Sequence, residues 1–372
     1  MPYKNHWNWQ KEDWPHFTYE ASAIAEMEQS FLQQSGQSFG ISKHISFEEK
    51  NHLIISLISN EALKTSEIEG EMLDRDSLQS SIKKHFGLKV PAIPNHPAEN
   101  GIAEMMMDLY NHYDAPLTHK ILKSWHEMLM NGRRDIHEIG RYRTHEDPMQ
   151  FVSGYHHKPT VHFEAPHSKD IMKEMEGFIQ WFNESSPKGK KPLPPLTKSC
   201  IAHLYFVSIH PFEDGNGRIG RAIVEKVLAQ YLSQPSLIAL SQIINDNKKA
   251  YYQALEKQNK HNELTSWLVY FAETILEAQQ FTIDQMEFII NKTKFFDEFK
   301  DQMNGRQFKV IKRMMQEGIK GFAGGLSAKN YISISGTSAS TATRDLQDLV
   351  DKKMLTQTGT RKSTRYWLTI LQ

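Results

Sequence analysis

The chain has 372 residues, enough for two or three domains that each bury a core. Its 44 Lys and Arg balance 44 Asp and Glu, so total charge points neither to nucleic acid nor to a membrane surface. The single cysteine, Cys200, excludes an intrachain disulfide and any four-cysteine or Cys₂His₂ zinc site, and no apolar run approaches the ~18–20 residues of a membrane span. Residues 1–100 read as a mostly helical domain, led by Trp7, Trp9, Trp14, Phe17 and Tyr19, an aromatic cluster expected to serve as a packing plug. Within it Leu53, Ile54, Leu57, Ile58 and Ala62 form a helical apolar stripe. The prolines at 91, 94 and 97 break any helix and mark a hinge or loop. Residues 117–274 carry helical periods at 117–130, 171–182 and 196–208, while 140–166 read as short strands. The charged, proline-rich 187–195 reads as an exposed loop, and a long helical pattern runs from 264 to about 300. Residues 275–305 are taken as a helical connector and 306–372 as a separate domain.

The densest chemistry lies at 210–221, His-Pro-Phe-Glu-Asp-Gly-Asn-Gly-Arg-Ile-Gly-Arg. Asp214 offers a hard carboxylate oxygen of the kind Mg²⁺ takes beside substrate phosphates. Gly215-Asn216-Gly217 is a loop without bulk, so its N–H groups can turn around an anion. Ile219, Ala222, Ile223, Val227 and Leu228 then give a helical period, which puts a helix N-terminus at the same anion. Arg218 and Arg221 share a face of that helix, and their guanidinium forks suit phosphate oxygens. His210 is placed to accept a hydroxyl proton.

This run resembles the Fic (Fic/Doc, or Fido) family signature His-Pro-Phe-x-[Asp/Glu]-Gly-Asn-[Gly/Lys]-Arg-x-x-Arg at every position. The resemblance implies transfer of AMP from ATP to a protein Ser, Thr or Tyr hydroxyl. It makes His210 the general base, Asp214 the Mg²⁺ ligand, and Asp214, Gly215, Asn216, Gly217, Arg218, Ile219, Gly220 and Arg221 the ATP-binding run. It also implies a mainly α fold: a helical core with a small β-hairpin flap, a helical N-terminal domain and a C-terminal winged helix-turn-helix. The expected setting is a soluble protein of a bacterial cytoplasm.

Thr65-x-x-x-Glu69-Gly70 looks like the family's inhibitory motif, by which Glu69 would occupy Arg221 and deny it to the γ-phosphate. Gly70 is a natural helix C-terminus, and a carboxylate in that last turn is disfavoured by the helix dipole by ~0.3–1 kcal/mol. Glu69 is therefore expected to have a cationic partner, whereas Glu67 and Glu71 are expected to face solvent. Lys158 to Phe163 occupies the flap position, with Thr160, Val161 and His162 bordering ATP and a strand edge that can receive a target hydroxyl segment. His156 and His157 are expected to contact solvent or target. Tyr252 and Asn259 lie seven apart on one face, and the resemblance implies that they border the adenosine.

The C-terminal 306–372 read as three helices and a β-hairpin that resemble a winged helix-turn-helix. Twelve Lys and Arg against four Asp and Glu give it a net +8 that the whole chain conceals. DNA binding through Arg361, Lys362 and Arg365 is one expectation, protein docking or dimerisation the other, and a homodimer is allowed. The rival to an enzyme is a DNA-binding regulator with a nucleotide-sensing core. Phosphate transfer is disfavoured by Gly217, where Doc-type members carry Lys.

Overall fold

Apolar residues three and four apart recur along most of the chain, and helices follow. The computed structural model describes residues 6–90, 96–155 and 158–371. The first helices are α1 (Ala25–Ser42), α2 (Phe47–Ile68), α3 (Arg75–His85), α4 (Pro97–Asn111) and α5 (His119–Leu129). A hairpin of β1 (Gln150–Tyr155) and β2 (Lys158–Glu164) comes next. Then come α6 (Ile171–Glu184), α7 (Pro195–Ile209), α8 (Asn216–Leu232), α9 (Leu240–Asp246), α10 (Lys248–Gln258) and α11 (Thr265–Phe299). The chain ends with α12 (Gly305–Met315), α13 (Ala328–Ser335), α14 (Ala339–Asp351) and a second antiparallel hairpin, β3 (Leu355–Thr358) with β4 (Arg365–Leu368). The fold is mainly α, as the periodicity predicts. Only the Gln150–Tyr155 and Lys158–Glu164 parts of the 140–166 stretch become strand. The prolines at 91 and 94, with His156 and His157, lie outside the described residues.

The chain divides into two compact units, Met1–Gly36 with Asn51–Gln280, and Gln37–Lys50 with Phe281–Gln372. In the first, nearly every residue of α7 is buried, which makes it the central rod. Its prolines suit a helix start, and Glu28 closes its N-terminus by accepting from the N–H groups of Leu196 at 3.0 Å and Thr197 at 2.8 Å. Helix α8 lies along α7, and Gly220 permits the approach, since a Cβ there would stand 3.0 Å from Val207 Cγ1. Side chains of α2 to α6, among them Ile58, Met105, Trp125 and Phe178, complete this core.

The aromatic N-terminal segment braces the flap. Trp7 is buried edge-on to Phe163 of β2, with ring centroids 5.5 Å apart, and Trp9 Nε1 donates to the Glu164 carbonyl at 2.6 Å. In the second unit Phe288 and Phe295 of α11 pack with Val310, Tyr331, Leu346 and Leu368 in a separate core.

Candidate active site

Helix α7 stops at His210, which adopts a left-handed backbone (φ 51°, ψ 61°) that side chains other than glycine seldom take. The strained turn has a dedicated clamp. Buried Arg143 donates from Nε to the His210 carbonyl at 2.9 Å and from Nη1 to Ser168 Oγ at 2.9 Å. Its own N–H donates to the Pro211 carbonyl at 2.9 Å. His210 Nδ1 lies 3.3 Å from the Val207 carbonyl, so the tautomer that donates there leaves Nε2 free to accept a proton. Burial pushes the imidazole down to about 3, with Arg143 adding to the effect, which keeps it neutral near pH 7. The Phe151 ring meets it edge-on at 4.6 Å.

The loop after His210 is stapled by Asn216. Its Oδ1 accepts from the Phe212 N–H at 2.9 Å and its Nδ2 donates to the Phe212 carbonyl at 2.8 Å. Gly215, at φ 77°, then turns the chain into α8. The first N–H groups of α8 have no partner within the helix. Behind them, Arg218 Nε and Arg221 Nη1 are buried without a hydrogen-bond partner among the described residues. Buried donors are rarely left so, and Arg221 Nη1 lies against the loop, 3.2 Å from where a Cβ on Gly217 would stand. Ile219 and Gly220 point elsewhere: Ile219 is in the core and Gly220 faces α7.

The end of α2 supplies what lies over that loop. The Gly70 N–H donates to the Glu67 carbonyl at 3.1 Å and the Glu71 N–H to the Ser66 carbonyl at 3.0 Å, with Gly70 left-handed at φ 85°. This Schellman turn sets Glu69 and Glu71 on either side of one glycine. Glu69 Oε1 accepts from Arg221 Nη2 at 2.8 Å. Thr65 adds two contacts to the same guanidinium, its Oγ1 accepting from Nε at 2.6 Å and its carbonyl from Nη2 at 2.9 Å. A Cβ on Gly217 would stand 2.2 Å from Glu69 Oε1, so the carboxylate rests directly on the glycine loop. Glu71 is not the solvent-facing residue expected of it: it forms an ion pair with Arg218. The cause is the turn, which carries Glu71 back over α8. Glu67 also has partners, Lys64 Nζ at 2.6 Å and Asn245 Nδ2 at 3.0 Å.

Asp214 is held by Arg133, whose Nη1 donates to Oδ2 at 2.9 Å while its other donors grip Asp135. Burial opposes ionisation of Asp214, yet Arg218, the Gly215 N–H and Arg133 outweigh it and keep the carboxyl below its usual range. Among the described residues no group of three acidic, His or Cys side chains can hold a metal. Asp214 thus offers Mg²⁺ one carboxylate, a donor set that suits an ion sharing its remaining ligands with phosphates and water.

Beside the loop lies a cleft of about 380 Å³, lined by Glu69, His162, His210, Gly217, Tyr252 and Asn259 with the apolar Val207, Phe163 and Leu255. Its lining thus combines polar side chains with apolar and aromatic ones. The flap register slips by one between Phe151 and Val152, which leaves His162 as the extra residue. A bulge re-aims its side chain, and His162 Nδ1 meets Glu256 Oε1 of α10 at 2.9 Å. Thr160 is exposed and Val161 packs toward Trp7, so neither side chain lines the cleft. The Tyr252 hydroxyl donates to the Ile68 carbonyl at 3.2 Å, tying this wall to the end of α2. Asn259 accepts at its carbonyl from the Asn8 N–H at 2.7 Å.

Two further buried acids, Glu61 of α2 and Glu225 of α8, lie within electrostatic reach of each other. Both Glu61 oxygens lie 2.9 Å from the Ser241 N–H. Burial pushes Glu61 up to about 7 against that N–H and the Arg221 charge, and burial with Glu61 raises Glu225 well above its ordinary value. Sequence reasoning missed Arg143, Arg133, Glu71 and this pair.

A Fic/DOC family model matches residues 116–228, and a model described as a domain of unknown function (DUF4172) matches residues 7–88. The chain is 30% identical over 135 residues to protein adenylyltransferase Fic of Nematostella vectensis, covering 36% of this chain and 27% of that protein. To the protein of that name in Drosophila mojavensis it is 27% identical over 199 residues, 52% of this chain and 35% of the relative. The chain therefore spans about a quarter to a third of the length of these curated relatives. A solved Fic family protein from Desulfovibrio desulfuricans G20 superposes with a TM-score of 0.52 at 21% identity, covering 93% of this chain and 97% of that one. Fic-1 from Caenorhabditis elegans does so with a TM-score of 0.51 at 19% identity, covering 71% and 73%. At such identities the superpositions establish the fold. Residues 116–228 of this chain form a Fic/DOC family domain.

Proposed function

We propose that the protein is an autoinhibited protein adenylyltransferase that moves AMP from ATP to a Ser, Thr or Tyr hydroxyl of a target protein, itself included. The observation that carries this reading is Glu69 seated on the glycine loop, on Arg221, with unpartnered donors of both signature arginines alongside. Those donors and the N–H groups of α8 suit a polyphosphate, and the cleft beside them suits an adenosine between Tyr252 and Asn259. That relatives are named protein adenylyltransferases supports the same reading.

In the active state Arg218 and Arg221 hold the β- and γ-phosphates, and the loop N–H groups stabilise charge that develops on the oxygens. His210 Nε2 takes the proton of the target hydroxyl as that oxygen bonds to the α-phosphorus. The bond from the α-phosphorus to the bridging oxygen breaks, and pyrophosphate departs with the electron pair. Asp214 would hold Mg²⁺, which when bound neutralises phosphate charge. The β1–β2 flap aligns the target chain. In the resting state Glu69 blocks Arg221 and Glu71 blocks Arg218, so a productive triphosphate must displace two carboxylates.

Incubation with α-labelled and with γ-labelled ATP tests this. Label from the α position on protein, lost in His210→Ala, is the expected result. Transfer of the γ label instead would make the protein a kinase, and no transfer from Glu69→Gly would reduce the site to a nucleotide sensor.

A further inference from the structure

Residues 306–372 of the second unit carry twelve bases against four acids, and the acids are engaged locally. Three of the four acids in 306–372 are engaged internally: Glu317 with Arg313, Asp345 with Arg306 at 2.9 Å, and Asp348 with Lys352 at 2.7 Å. The fourth, Asp351, accepts from Gln347 Nε2 at 2.8 Å. Lys329, Arg344, Lys353, Arg361 and Lys362 are exposed and make no ion pair among the described residues.

The backbone presents these bases in two places. Helices α13 and α14 are joined by Gly336-Thr337-Ser338, with Gly336 left-handed at φ 70°, which is the short glycine-bearing link of a helix-turn-helix. Helix α14 buries Ala342, Leu346 and Leu349. Its opposite stripe, Ser340, Thr343, Arg344 and Gln347, is exposed and spaced three, four and seven apart, so it forms one face. That stripe offers hydrogen-bonding and cationic groups and no apolar anchor for a protein partner. The second place is the turn between β3 and β4. A Cβ on Gly359 would stand 2.5 Å from the Ser363 carbonyl oxygen, Ser363 Oγ donates to the Thr360 carbonyl at 2.7 Å, and Arg361 is left-handed at φ 51°. A tightly closed turn thus holds Arg361 and Lys362 outward.

We propose that this unit binds B-form duplex DNA, the α14 stripe entering the major groove and the β3–β4 turn resting on backbone phosphates. A helix fits a groove about 12 Å wide, and Arg and Gln are side chains that reach base edges there. The major groove of A-form RNA is too narrow for it, which separates the two duplexes. The bases of the turn supply phosphate contacts that position the helix without reading sequence.

The test uses the full chain, a fluorescent duplex of about 20 bp, two helical turns, and fluorescence anisotropy across about 50–200 mM salt. Duplex DNA should bind at low salt, more tightly than single-stranded DNA or double-stranded RNA of equal length. Replacing both Arg361 and Lys362 by Ala should reduce the slope of log affinity against log salt by up to about 1.8, since each neutralised phosphate contributes about 0.9. Arg344→Ala should weaken binding about tenfold, the lower range for a base contact. Melting temperatures of these exposed variants should match the parent, so loss of binding is not loss of fold. Absence of binding at the lowest salt, equal affinity for the RNA duplex, or an unchanged salt slope in the double variant would each overturn the proposal. The first of these would return the surface to a protein partner.

Discussion

The glycine loop and the C-terminal residues 306–372 treat their cations in opposite ways. Around the glycine loop every chemically useful charge is matched within the chain: Arg221 by Glu69, Arg218 by Glu71, and Asp214 by Arg133. In residues 306–372 three of the four acids are matched to bases, among them Arg306 and Lys352, and the surplus cations are left to solvent. A cation closed by its own chain must be uncovered before it binds an anion, so occupancy of that site is conditional. A cation left open binds whenever a polyanion is present, and only salt regulates it.

The comparison breaks most visibly if the quenched site has no chemistry beneath it. Under the proposed function, His210→Ala should lower AMP transfer about 10²- to 10⁴-fold, the usual worth of a general base, with ATP binding retained because no phosphate contact is lost. Labelled AMP incorporation and calorimetric ATP binding measure the two halves. Next in size, Glu69→Gly should raise self-modification roughly ten- to hundredfold, because a charge-assisted pair is worth roughly 1.5–3 kcal/mol. Arg221→Ala on top of it should cancel the gain, and equal rates for wild type and Glu69→Gly would make α2 a scaffold rather than a lock. A smaller effect is expected of Glu71→Gln, which keeps the shape and removes the charge facing Arg218. Measured in the Glu69→Gly background, ATP affinity should improve about tenfold or less. No change there would confine the lock to Glu69.

The smallest effect concerns Glu61. Its folded value of about 7 lies above its ordinary 4.5, so the neutral form is the one that stabilises the fold. That contribution is complete below about pH 4.5 and is lost as pH rises through about 7. The melting temperature should therefore fall across this window and fall less in Glu61→Gln. An identical decline in both proteins would place the titration elsewhere.

Chemistry that needs contiguous residues was legible in the chain. Residues 210–221 announce a loop, a helix start and two arginines because a phosphate cradle has to be built from neighbours. The helices were legible from their apolar period, and Gly70 marked the end of α2. What stayed hidden acts over distance or through local geometry. Arg143 works on the His210 carbonyl, a backbone group that has no letter of its own. Arg133 reaches Asp214 across a fold that brings α5 and α8 together. Glu71 reads as a surface acid until the Schellman turn sends it back over Arg218. The sequence reading set a boundary at 274/275, and the structure divides the same unbroken helix, Thr265–Phe299, after Gln280.

The turn at Gly70 also sets a clock. Both carboxylates hang from the terminal turn of α2, so uncovering the arginines requires only that this turn unwind, with the rest of the helix in place. Helix–coil relaxation takes about 0.1–1 μs, whereas enzymes commonly turn over at about 1–10³ s⁻¹. If the three bonds from Arg221 slowed opening even a hundredfold, the turn would still open and close many times per catalytic event. Residual activity of the unmodified protein would then report the equilibrium fraction of open molecules and not the speed of opening. A partner that captured the unwound turn would raise activity in proportion to its occupancy, with no lag.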